Sequence, residues 1–119
     1  MSGISLSIPK GKTLALVGES GCGKSMTALS VMRLLPGNAR ILSGTDTLSG
    51  EDLFPVPESV MQAVRGRRIG MIFQEPSTSL NPVMTVGDQI GEVLSRHLGL
   101  KGKEKVEEEI AWLRRVGIP

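Results

Sequence analysis

With 119 residues, 39% of them hydrophobic, the chain has the apolar material for one modest domain or a piece of one, which excludes a disordered tail. A formal net charge of +2 with both signs interspersed makes no case for a nucleic-acid or acidic-lipid surface. One cysteine excludes an internal disulfide and fits a reducing cytoplasm, and no apolar run approaches the roughly 20 residues that span a bilayer.

The chain opens with Gly3-Ile4-Ser5-Leu6-Ser7-Ile8, whose strict alternation predicts a half-exposed strand, closed by the turn Pro9-Lys10-Gly11-Lys12. A hairpin then leads into Thr13-Leu14-Ala15-Leu16-Val17, a short apolar run expected of a buried parallel strand. The next residues, GESGCGKS from Gly18 to Ser25, fit G-x-x-x-x-G-K-S/T, the phosphate-binding loop. Met26 to Leu35 is apolar at nearly every helical position, so strand, glycine loop and helix follow in order.

The residue types in this loop follow from what a triphosphate requires. Gly18, Gly21 and Gly23 take backbone angles and close approaches that a side chain forbids, which lets the amides point inward at the mouth of a helix starting near Lys24. The Lys24 ammonium is expected to reach the β- and γ-phosphates, and the Ser25 hydroxyl to ligate the Mg²⁺ that bridges them. Glu19, Ser20 and Cys22 are spacers. A glycine turn with no ligand would not need lysine and serine side by side.

Pro36-Gly37-Asn38 stops the helix, and Arg40 to Leu48 reads as a second short hairpin. Leu42-Ser43-Gly44 and Leu48-Ser49-Gly50 do not go on to a second glycine and are read as turns. After the loop marked by Pro55 and Pro57, Glu58 to Val64 predicts a short helix with Val60, Met61 and Val64 on one side. The basic cluster Arg65-Gly66-Arg67-Arg68 has no interleaved aromatics for base stacking and reads as a solvated turn. It leads into Arg68-Ile69-Gly70-Met71-Ile72-Phe73, a candidate central strand of the same parallel sheet. Gln74 then falls at that strand's carboxyl end, the edge where ligands bind in open α/β sheets.

Glu75 to Pro82 is rich in turn formers and predicts an irregular loop. Thr85 is placed to cap a helix, with Asp88 completing a capping box, and Val86, Ile90, Leu94 and Leu98 form its stripe up to Gly99. A last helix is expected over about Lys103 to Val116, with Val106, Ile110 and Leu113 as its stripe and Gly117 as its stop. His97, the only histidine, lies near the first stripe and reads as a core or edge residue, and the methionines fall on core faces.

Taken together, GESGCGKS, Gln74 at a strand end and EPSTSLNPVMTVGDQI resemble the ATP-binding subunit of ABC transporters, in its peptide and nickel importer branch. The likeness covers essentially the whole chain, and MIFQEPSTSLNP is more specific to that branch than the loop is. The resemblance implies an α/β, P-loop NTPase fold with a parallel-sheet core, an N-terminal antiparallel β part and the start of a helical subdomain. The P-loop core and β part would cover residues 1–80 and the helical part residues 81–119.

The resemblance also implies ATP and Mg²⁺ as ligands. Residues Gly18, Glu19, Ser20, Gly21, Cys22, Gly23, Lys24, Ser25 and Met26 would hold the nucleotide. Lys24 and Gln74 would be catalytic, and Ser25 and Gln74 would meet the metal, Gln74 relaying nucleotide state to the membrane subunits. Implied partners are transmembrane permease subunits, a second ATP-binding subunit identical or paralogous, and indirectly a solute-binding protein, with no nucleic acid. The implied location is cytoplasmic, peripheral on the inner face of the cell membrane.

In the family the signature motif, the Walker B carboxylates and the switch histidine lie further along than Pro119. An adenine-stacking aromatic lies upstream of the loop, whereas Phe54, Phe73 and Trp112 all come after it. The expectation is therefore a piece of a longer ATP hydrolase, probed against the alternative of a nonhydrolytic nucleotide-binding or interaction fragment.

Overall fold

The computed structural model describes residues 2–119, which divide into two compact units at Val56 and Pro57. In the first unit, α1 spans Lys24–Val31 and is followed by β1 (Thr47–Leu48) and β2 (Glu51–Asp52). The second unit contains α2 (Glu58–Val64), α3 (Pro76–Ser79), α4 (Val86–Leu98) and α5 (Gly102–Arg115).

Helix α1 ends at Val31, short of the expected end near Leu35. The reason is local: Arg33 takes the left-handed conformation, φ 52°, and the Leu34 N–H bonds back to the Leu29 carbonyl at 2.8 Å, closing a Schellman turn before the proline is reached. The Thr27 and Ser30 hydroxyls also bond the carbonyls one turn back, Gly23 at 3.0 Å and Met26 at 2.7 Å. The Arg33 guanidinium donates to the carbonyls of Val56, at 2.7 Å, and Leu53, at 3.2 Å, anchoring this end of the helix to the chain beyond the hairpin.

The expected hairpin lies slightly later than predicted. Strands β1 and β2 pair antiparallel, Thr47 with Asp52 and Leu48 with Glu51. Ser49 and Gly50 both have positive φ, 52° and 86°, the two-residue turn whose twist matches paired strands. The Leu48-Ser49-Gly50 motif is thus a turn, as read. Among the described residues of this unit, Met32 and Leu53 are the buried hydrophobic ones.

The remaining strand expectations are corrected. Among the described residues, Gly3–Ile8, Thr13–Val17 and Ile69–Phe73 form no strands, so neither the leading hairpin nor the parallel core is present in these residues. Only the turn Pro9–Lys12 appears, with the Lys12 N–H on the Pro9 carbonyl at 3.0 Å. An apolar run supplies one strand and not its hydrogen-bonded neighbours, and a parallel strand is stable only with both faces covered. Val17 and Ile72 are accordingly 95% and 96% exposed.

In the second unit the helices follow their local signals closely. Helix α2 buries Met61 and Val64, whereas Val60, expected on the same side, is exposed. Glu58 in its first turn pairs with Arg65 at 2.5 Å. Thr85 caps α4 as predicted: its hydroxyl accepts from the Asp88 N–H at 3.1 Å and donates to the Asp88 carboxylate at 2.6 Å. Thr85→Ala is expected to cost about 1 kcal/mol, read as a lower urea midpoint with unchanged slope.

Helix α4 ends where Gly99 turns left-handed. Helix α5 packs against it, with the Glu109 carboxylate laid over Gly87 and Gly91 and held by Lys105 at 3.7 Å. Without side chains at those two α4 positions, the carboxylate approaches the helix backbone directly.

The turn Arg65–Ile69 keeps Gly66, Arg67 and Arg68 exposed, as expected of a solvated turn, and also touches the end of α4: Arg67 donates a short hydrogen bond to the His97 carbonyl, and Arg96 reaches Gln62 of α2 at 2.6 Å. Gly66 has φ 86°, and a Cβ added there would meet His97 Nε2 at 2.8 Å. Gly66→Ala is expected to destabilise by about 1–2 kcal/mol from the left-handed backbone alone, with His97 displaced as well; a urea titration and the His97 ring resonances check both. His97, with Leu94, Trp112 and Val116, lines an apolar groove of about 700 Å³ between α4 and α5, which agrees with its reading as an edge residue.

Candidate phosphate-binding loop

The loop is built by backbone geometry. Gly21 and Gly23 have φ 82° and 98°, a region that only glycine enters freely. Between them the Cys22 N–H bonds the Glu19 carbonyl at 3.3 Å, folding the loop into a turn. Gly18 is required for a different reason: a Cβ there would meet Cys22 Sγ at 2.6 Å, so the chain closes over the thiol only because that position is bare.

Gly23 is the N-cap of α1 and offers no side-chain cap. The first amides of a helix have no partner within it, so those of Lys24, Ser25 and Met26 are left to an external acceptor. Helix geometry adds partial positive charge at the same place. Lys24 is half-buried, and its ammonium folds back into the loop, donating to the carbonyls of Gly18 at 2.6 Å and Glu19 at 2.7 Å, with Cys22 Sγ at 3.4 Å. Glu19, Ser20 and Ser25 are exposed.

These residues suit a polyphosphate. Uncapped amides and one ammonium are donors to such a group, the Ser25 hydroxyl is an oxygen that could meet a metal, and the bare Gly18 lets the loop close tightly over Cys22. A Mg²⁺ brought by the nucleotide would take the Ser25 hydroxyl as a protein ligand, supplying charge neutralisation at the phosphates. Among the described residues no cluster of three or more His, Cys, Asp or Glu side chains is arranged to hold a metal by itself.

The structure thus brings Gly18 to Met26 together. Gln74 belongs to the other unit, exposed at a bend after Phe73, and the sheet expected to carry both it and the loop on one edge is not formed among the described residues. The loop after Gln74 is less irregular than expected: Pro76–Ser79 makes one helical turn, with the Thr78 hydroxyl on the Glu75 carbonyl at 2.9 Å.

One organiser of this segment was not singled out from sequence. The Gln89 amide group accepts from the Asn81 N–H at 2.9 Å and donates to the carbonyls of Asn81, at 3.1 Å, and Met84, at 3.2 Å, stapling the loop onto α4. Its position on the first turn of a capped helix, facing back over a proline-containing loop, was the available signal.

The whole chain, residues 1–119, matches the ABC transporter family profile. The chain belongs to the ABC transporter family. Dipeptide transport ATP-binding protein DppD of Bacillus subtilis (strain 168) is 47% identical over 118 residues, covering 98% of this chain and 35% of that protein. A putative peptide import ATP-binding protein of Brucella abortus (strain 2308) is 48% identical over 122 residues, covering 98% of this chain and 36% of its own length. Oligopeptide transport ATP-binding protein OppD of Bacillus subtilis is 47% identical over 118 residues, covering 98% and 33%. This ABC chain therefore spans about a third of the length of those relatives, which are ATP-binding proteins of peptide transport by name. Family membership carries a P-loop NTPase fold with it.

Proposed function

We propose that these residues form the nucleotide-binding start of an ATPase subunit that energises import of peptides or related small solutes. The observation that carries this reading is the loop Gly18–Ser25, with uncapped helix amides and the Lys24 ammonium converging on one turn. Gly18, Glu19, Ser20, Gly21, Cys22, Gly23, Lys24, Ser25 and Met26 hold the phosphates of ATP. Ser25 supplies its hydroxyl to Mg²⁺. To bind, the Lys24 ammonium exchanges the Gly18 and Glu19 carbonyls for phosphate oxygens, a trade of neutral acceptors for charged ones.

Gln74 acts in the same reading as the residue that meets the metal and attacking water. A neutral amide both donates and accepts, so it senses the γ-phosphate side without altering its charge. Residues 1–80 serve as P-loop core and β part, the parallel sheet closing there in the longer protein, and residues 81–119 begin a helical subdomain. Partners are transmembrane permease subunits and a second ATP-binding subunit, with a solute-binding protein acting indirectly. Among the described residues no helix is long and apolar enough to cross a membrane, and the subunit works peripherally on the inner face through those partners.

The reading is tested by calorimetric titration of Mg-ATP into a polypeptide extended to the length of the relatives, alongside phosphate release. Saturable binding with turnover is expected. No binding by a folded protein of that length overturns it.

A further inference from the structure

We propose that the hairpin Thr47–Asp52 is proton-sensitive: Asp46 lies with a buried, unpartnered carboxyl oxygen beside Asp52, so that a proton on Asp46 tightens the hairpin and its loss loosens it. The two carboxyls differ in their hydrogen bonding. Asp52 Oδ1 accepts from the backbone N–H groups of Asp46 and Phe54, each at 3.1 Å. Asp46 Oδ2 is buried and has no hydrogen-bond partner. Negative charge on that oxygen would be desolvated and unpaired, and it would sit beside the Asp52 carboxylate.

Burial accordingly pushes the Asp46 carboxyl above its ordinary value of 3.8, and the charge of Asp52 pushes it the same way. Of the charged groups on the adjoining elements, Glu51 is exposed on β2, and the Arg33 guanidinium lies on the Leu53 and Val56 carbonyls. Because the folded-state value is raised, the stabilisation is complete below pH 3.8 and is lost as pH rises through the folded value. On ionisation the two carboxylates repel. The contacts that yield first are those made at Asp46: its N–H on the Asp52 carboxylate, and the Leu53 N–H on its backbone carbonyl at 2.7 Å. Leu53 also accepts from Arg33 at the end of α1, so the hairpin's state reaches the helix whose other end bears Lys24.

The test follows the Asp46 side-chain carboxyl carbon and the amides of Leu53 and Phe54 by NMR in the full chain, from about pH 3 to about pH 8. Asp46 is expected to titrate with a midpoint above 3.8, and both amides to shift and lose exchange protection at the same midpoint. Asp46→Asn is expected to abolish that step, and Asp52→Asn to move the Asp46 midpoint downward. An Asp46 midpoint at or below the ordinary carboxylate value overturns the proposal, as does an amide step that persists in Asp46→Asn. If Asp46→Asn does not fold, the titration of the unmodified chain decides by itself.

Discussion

Lys24→Ala, made in a polypeptide extended to the length of the relatives, is expected to lower ATP turnover on the order of a hundred- to thousandfold, the scale of removing one preorganised donor from a charge-stabilising site. Two effects combine in that loss. The ammonium is held at the loop by hydrogen bonds to the Gly18 and Glu19 carbonyls, so its removal takes away both the proposed phosphate donor and the clasp that shapes the loop. The helix amides remain, which is why residual binding is expected to exceed residual turnover: positioning of the phosphates survives, while neutralisation of charge developing in transfer does not.

Lys24→Arg separates the two contributions. It keeps the charge, but a planar guanidinium is not a compact ammonium able to sit between two carbonyls, so a substantial loss is expected there as well. Parallel measurement of Mg-ATP affinity and phosphate release checks both variants. Unchanged hydrolysis in Lys24→Ala would refute the assigned role.

Leu53→Ala is expected to destabilise the chain by about 2–5 kcal/mol, the range for emptying a fully buried leucine site. Leu53 is 0% exposed, and its backbone joins two anchors, the N–H on the Asp46 carbonyl and the carbonyl under Arg33. Loss of its side chain therefore removes apolar burial at the place where the hairpin and the end of α1 are tied together. Leu42 is the internal control: it lies a short way up the same unit but is 81% exposed, and Leu42→Ala is expected to change stability by no more than about 0.5 kcal/mol. Equal urea midpoints for the two variants would show that burial at residue 53 contributes nothing to the fold.

The contrast between these two leucines shows where residue type stops being informative. Both sit in short turn-rich stretches, and neither periodicity nor composition separates them; the hairpin register does. The helices were legible because their determinants lie within a few residues of each other. Thr85 and Asp88 close a cap, Gly99 and Gly117 take left-handed angles that stop α4 and α5, and Glu58 leads α2 with an acid. The end of α1 was misjudged for a related reason, since a non-glycine residue, Arg33, took the left-handed position before Pro36 was reached.

By itself the amino-acid sequence determined the phosphate-loop motif, the capped helices and the family, because glycines, caps and the lysine-serine pair act on their immediate neighbours. Tertiary structure alone decided that Thr47–Leu48 pairs with Glu51–Asp52 while the apolar runs among the described residues stay unpaired, that the exposed Arg65–Arg68 turn touches α4, that Gln89 holds the preceding loop, and that Asp46 lies beside Asp52. Those outcomes depend on groups brought together from separate stretches, and strand pairing above all requires a neighbour that no single run of residues can supply.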